Sequence, residues 1–160
     1  MVEMTLVGVQ VELPTNQPIV LLKESSGDRY LPIWIGTAEA SAIALALRGV
    51  PAPRPMTHDL MRDLLNALAV GVQKIEITEL RESTFYAVIH LQNNGSSLEV
   101  SSRPSDAIAL AVRMQVPIFA AEDVLDDAGV RLEDQEAGEE DEEVERFREF
   151  LDQVSPEDFA

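Results

Sequence analysis

The stretch Arg103-Pro104-Ser105-Asp106-Ala107-Ile108-Ala109-Leu110-Ala111-Val112-Arg113 decides how this chain is organised. It reads as a helix entered directly from a strand. Proline suits the first turn, where its missing N–H would be unpaired anyway. Ser105 or Asp106 can accept from the free amides of that turn, and Asp106 also suits the positive end of the helix dipole. From Ala107 to Val112 every side chain is apolar and mostly small, so the helix is expected to be buried on most sides. The same word occurs earlier, as Ala42-Ile43-Ala44-Leu45-Ala46-Leu47-Arg48. Two alanine-rich helices of matching pattern can approach closely, and the fold is expected to be built around the pair.

Outward from that helix, Leu98 to Ser102 is the strand that feeds it, and Asn93-Asn94-Gly95 is a strong hairpin signal. Phe85 to Gln92 and Val72 to Leu80 read as paired strands before it. Near the start, Met4 to Leu13 alternates as a half-buried strand does, Ile19 to Leu22 is a short apolar run, and Ser25 to Asp28 turns the chain into Arg29 to Ile35. Pro32 inside that strand points to an edge or a bulge. Thr37 is the expected N-cap of a helix from Ala38 to Arg48, stopped by Gly49. A stiff loop with three prolines follows. Thr57 is expected to cap the next helix, with Leu60, Met61, Leu64, Leu65, Leu68 and Ala69 as one apolar stripe and Gly71 ending it. Pro117 to Ala120 is a last short strand. Hairpin-then-helix thus occurs twice, either as a pseudo-repeat or because packing twice asks for small helical residues. The expected fold is a single α+β domain over residues 1–121, a mostly antiparallel sheet with about three helices.

Composition sets further bounds. The chain has 160 residues and no cysteine, which excludes disulfides, thiolate metal sites and thiol catalysis. With no signal-peptide pattern and no apolar run of membrane length, a cytoplasmic location is expected. Residues 122–160 carry 17 Asp/Glu against 3 Arg, so −14 of the formal charge of −17 lies there. That asymmetry argues against a general basic nucleic-acid binder and for a separate acidic tail. Residues 122–143 are expected to be mobile. Phe147, Phe150, Leu151 and Val154 form a helical stripe that wants a surface, on the body or on a protein partner.

Candidate chemistry gathers at helix starts. Arg54, Thr57, His58 and Asp59 stand at one, Arg103, Ser105 and Asp106 at another, and Glu39 in the first turn of a third. Each has a plain structural explanation. Thr57 suits a cap, Asp59 and Asp106 suit the dipole, and Arg54 and Arg103 suit ion pairs with them. His58 is the sharper candidate, because helix starts rarely need an imidazole, and there it can act as a base. His90 lies on one face of a strand and is expected at the surface.

Three blocks carry a resemblance: Tyr30-Leu31-Pro32-Ile33-Trp34-Ile35-Gly36 with Glu39-Ala40, Arg54-Pro55-Met56-Thr57-His58-Asp59-Leu60, and Arg103 to Ala111. With Phe147 to Leu151 and Ser155 to Phe159, they resemble the bifunctional nuclease family, whose plant members are credited with cleaving RNA and DNA. The resemblance implies an α+β fold and a homodimer. Phosphodiester hydrolysis needs an activated water, charge neutralisation and usually a carboxylate-bound divalent metal. The expected set is His58, Asp59 and Asp106 as catalytic groups, Arg54 and Arg103 on phosphate, and Glu39, Asp59 and Asp106 on Mg²⁺ or Mn²⁺. Against this stand only two lysines, Lys23 and Lys74, and a lack of aromatic platforms for nucleic acid. The alternative is a non-catalytic regulatory or protein-interaction module working through its acidic tail.

Overall fold

A computed structural model describes residues 1–132. The expected helix at 142–154 and its stripe lie outside the described residues. In chain order the elements are β1 Val2–Glu12, β2 Gln17–Glu24, β3 Arg29–Trp34, α1 Thr37–Arg48, α2 Thr57–Ala67, β4 Gly71–Arg81, β5 Thr84–Asn93, β6 Ser96–Ser102, α3 Pro104–Met114, β7 Ile118–Ala120, α4 Glu122–Ala128 and β8 Val130–Arg131. One sheet runs β6-β5-β4-β7-β1-β2-β3-β8, with only the β4–β7 pair parallel among these strands. The chain is therefore α+β.

Each half is a three-strand antiparallel meander followed by an alanine-rich helix, and β7 joins the two meanders between β4 and β1. Asn94 and Gly95 both take positive φ in the β5–β6 turn, as an Asn-Gly hairpin demands. Pro32 sits where β3 is an open edge, because β8 pairs only with Arg29 and Tyr30. α1 lies on β1 and β2, and α3 lies on β4 and β5 and against both α1 and α2. Ala107 to Ala111 are buried, and fully buried Ile43 and Ile108 belong to the same core as Ile75, Ile77, Leu22 and Leu31. Each such side chain contributes about 1.5–3 kcal/mol on burial.

Several expectations need correction. The chain does not leave the fold at Ala121. Val124 and Leu125 of α4 are in the core, and Arg29 binds Glu24 (2.6 Å), Glu122 (2.7 Å) and Asp126 (3.1 Å). Carboxylates that look like the start of a solvated tail thus fasten α4 to the β2–β3 hairpin. Four helices, not three, occur among the described residues. The α2 stripe is split: Met61 and Leu65 pack on the core, while Leu60, Leu64 and Leu68 are more than half exposed. Thr37 and Thr57 are first helical residues rather than caps, Gly36 and Met56 holding the cap positions. Nor do Ser105 and Asp106 cap α3 through their side chains. α2 ends through Ala69, in the left-handed region at φ 57°, and Gly71 already belongs to β4. No helix among the described residues is long and apolar enough to cross a membrane.

Candidate functional site

Glu39, Asp59 and Asp106 occupy the same place on three helices. Each is the third helical residue, after cap residues Gly36, Met56 and Arg103. A carboxylate there faces the free amides of the first turn and the positive end of the dipole. Glu39 folds back so closely over Gly36 that a Cβ on that residue would collide with its Oε2.

The starts of α1, α2 and α3 are tied together by side chains. Arg103 donates from Nε to Asp106 Oδ2 and from Nη2 to Glu39 Oε1, each at 2.8 Å. Asp106 Oδ1 lies 2.9 Å from His58 Nε2, and His58 is only 6% exposed. The result is a continuous chain Glu39–Arg103–Asp106–His58 across three helices. Burial pushes the Asp106 carboxyl up, but bonding to His58 and Arg103 outweighs it and holds the group below the usual carboxylate range. Glu39, then Asp106, raise the Arg103 guanidinium above its ordinary value. In the tautomer that donates from Nε2, His58 keeps its lone pair on Nδ1.

Asp59 belongs to a different network. Its Oδ2 accepts from the Met56 backbone N–H at 3.0 Å, and its Oδ1 accepts from Arg113 Nε at 2.7 Å. Arg113 also donates to Ala109 O (3.0 Å) and Ala42 O (3.1 Å), so one buried guanidinium knots α1, α2 and α3. Burial pushes Asp59 up, but the Met56 amide and Arg113 together hold it below the usual range. Neighbours on a helix do not share a face, and so His58 and Asp59 diverge. Arg113 was not expected; its signal is a lone charge ending a helix otherwise apolar from Ala107.

The expected metal ligands therefore do not converge. Among the described residues no three His, Asp or Glu side chains stand close enough together to hold a metal ion. Glu39 and Asp106 flank Arg103, so the positive charge between them is already a guanidinium. As they stand, these groups do not fit a metal. Arg54 is exposed in the three-proline loop and makes no ion pair with a described residue. His90 is not a free surface histidine: it is half-buried, with Glu76 at 3.3 Å and Glu99 at 3.8 Å. Burial raises Glu76, but Lys74 and His90 outweigh it and lower its pKa.

Fold and site together define an α+β domain whose polar side chains are gathered where three helices begin. Residues 20–133 match the model of the bifunctional nuclease domain, and the chain belongs to that family. The matched span includes α4 and β8. An uncharacterized protein of Mycobacterium tuberculosis (strain ATCC 25618 / H37Rv) is 52% identical over 163 residues, 98% of this chain and 97% of that protein. Bifunctional nuclease 1 of Oryza sativa subsp. indica is 31% identical over 106 residues, 64% of this chain. Bifunctional nuclease 2 of Arabidopsis thaliana is 30% identical over 112 residues, 66% of this chain. The match spans only 32% and 34% of these two plant proteins.

Proposed function

We propose that this chain is a nuclease hydrolysing phosphodiester bonds of RNA and DNA, with the Glu39–Arg103–Asp106–His58 cluster as its working centre. The observation that carries this reading is the buried His58 held on Asp106, with Arg103 beside it at the surface. Asp106 fixes the imidazole, whose Nδ1 takes a proton from the attacking water as its oxygen bonds to phosphorus. Arg103 neutralises charge on the phosphate, the P–O bond to the leaving nucleotide breaks, and solvent protonates the leaving oxygen and takes the proton from the imidazolium. Family membership supports the chemistry. The test is cleavage of labelled single- and double-stranded RNA and DNA by purified protein, with Mg²⁺, with Mn²⁺ and with chelator. His58→Ala and Asp106→Asn should remove most of it while the protein stays folded; cleavage at wild-type rate by both would overturn the reading. The metal arms test whether hydrolysis needs a divalent cation.

One surface favours a second reading, an interaction module. Leu60, Leu64 and Leu68 of α2 are 52%, 54% and 70% exposed, and Leu64 lines one shallow cavity with Val100 of the edge strand β6, itself 45% exposed. Contiguous apolar surface of this kind marks an interface. The occupant proposed is a second copy of the chain, giving a homodimer. Sedimentation of wild type against Leu64→Asp tests it: a dimer converted to a monomer supports the reading, and a wild-type monomer ends it.

A further inference from the structure

The cluster engages Arg103 on one side; on the other, this residue borders a cavity of about 340 Å³. The walls come from three places that the fold brings together: Gln17 and Trp34 on β2 and β3, Ser83 and Phe85 around the β4–β5 turn, and Ser105 at the start of α3. Trp34 is the only tryptophan of the chain and is 51% exposed. The sequence suggests no aromatic platform because Trp34 and Phe85 are far apart along the chain and come to line one cavity only in the fold.

The polar groups of this cavity are disposed to receive something. Ser105 is 6% exposed, yet its hydroxyl makes no hydrogen bond among the described residues. Gln17 is fixed by donating from Nε2 to Ile35 O at 3.1 Å, which leaves its side-chain carbonyl as an oriented acceptor. At the rim stands Arg103, whose side chain is 64% exposed. An aromatic face, a hydroxyl, an amide carbonyl and a guanidinium match the face, edge and phosphate of one nucleotide.

Charge decides which nucleic acid this can be. With a formal charge of −17, the protein gains nothing from long-range attraction to a polyanion. Affinity must come from contacts that survive salt, and stacking on a neutral ring is one. Duplex bases already stack on each other and cannot enter, whereas an unpaired base can. We propose that this cavity is the base-binding subsite of the candidate active site, taking one unpaired nucleobase on Trp34 with its flanking phosphate on Arg103. The inference rests on reading the adjoining cluster as a nuclease centre.

The single tryptophan makes binding directly observable. The full chain is titrated with a short oligodeoxythymidylate in chelator, Trp34 emission is followed, and strand integrity is checked on a gel. Saturable quenching is expected with the single strand and none with the same strand in a duplex. The salt dependence should be shallow, with a logarithmic slope of about −0.7 for one phosphate contact. By anisotropy of a labelled strand, Trp34→Ala should weaken Kd roughly 5- to 150-fold and Trp34→Phe should restore most of the affinity. Trp34 lies half in water, so neither change empties the core. Quenching without cleavage under any metal condition would uphold the subsite and end the nuclease reading. Cleavage with KM and Kd unchanged in Trp34→Ala would do the reverse. Binding that leaves Trp34 emission unchanged would overturn the subsite, and absence of both binding and cleavage would overturn both.

Discussion

Arg113→Met tests whether the fold turns on the guanidinium knot between three helices. Arg113 has 6% of its side chain exposed and Asp59 has 19%. Removing the arginine strands a carboxylate in a partly dry site and takes the donors from Ala42 O and Ala109 O. Breaking a buried pair from one side costs ~3–5 kcal/mol, and the residual exposure of Asp59 argues for about 3 kcal/mol. For a domain of this size that lowers the melting temperature by roughly 10 °C. The double variant Asp59→Asn/Arg113→Met should be less destabilised than the sum of its parts, since no bare charge then remains. The assay is urea and thermal unfolding by far-UV circular dichroism. Acid adds an independent check. Because the folded Asp59 pKa is lowered, its stabilisation is complete above the ordinary unfolded value of about 4 and is lost as pH falls through the folded value. Arg113→Met should flatten that acid limb. A single variant within ~0.5 kcal/mol of wild type, or strict additivity in the pair, would refute the knot.

Leu125→Ala should cost about 2–5 kcal/mol, measured by urea unfolding, because α4 belongs to the core; a neutral result would return the boundary to Ala121. Ala69→Gly should stabilise by about 1 kcal/mol, since the residue sits at φ 57°, and a melting temperature that falls would contradict the strain. His58→Ala and Asp106→Asn should each lower hydrolysis ~10²–10⁴-fold. Asp59→Asn should lose stability but keep its rate per folded molecule, and equal loss in all three would put Asp59 back in the site.

Much of the fold was legible because local chemistry determines it. Pro104 before an apolar run, and Asn-Gly between alternating strands, act within a few residues. What escaped depends on partners far along the chain. Glu122 and Asp126 read as solvated tail until Arg29 meets them across 93 and 97 positions. The α2 leucines share one helical stripe, yet only part of its width meets the core, and periodicity cannot say how wide a contact is. Thr57 looked like a cap by residue type, but Met56 takes that place and Asp59 supplies the acceptor. Within the site, His58, Asp106, Arg103 and Glu39 were all legible as helix-start residues. Their division from Asp59 was not, because it depends on which way two adjacent side chains leave α2.

The shared helical position of the three carboxylates bears on which of them does chemistry. A carboxylate at the third helical residue gains ~0.3–1 kcal/mol from the dipole alone and needs no other purpose. Asp59 behaves so: one oxygen accepts its own helix's first amide, and the other holds the arginine that locks the helices together. Asp106 does not. Both its oxygens face side chains from or toward other elements, one on His58 of α2 and one on the Arg103 that reaches Glu39 of α1. A helix gains little by giving its first-turn carboxylate away, and a buried imidazole gains little for packing that a leucine would not supply. The arrangement makes sense if the imidazole has to be held in one orientation on Asp106, whose other partner, Arg103, borders the cavity. Asp106 and His58 are then the residues on which an activity should depend, and Asp59 is the one on which the fold should.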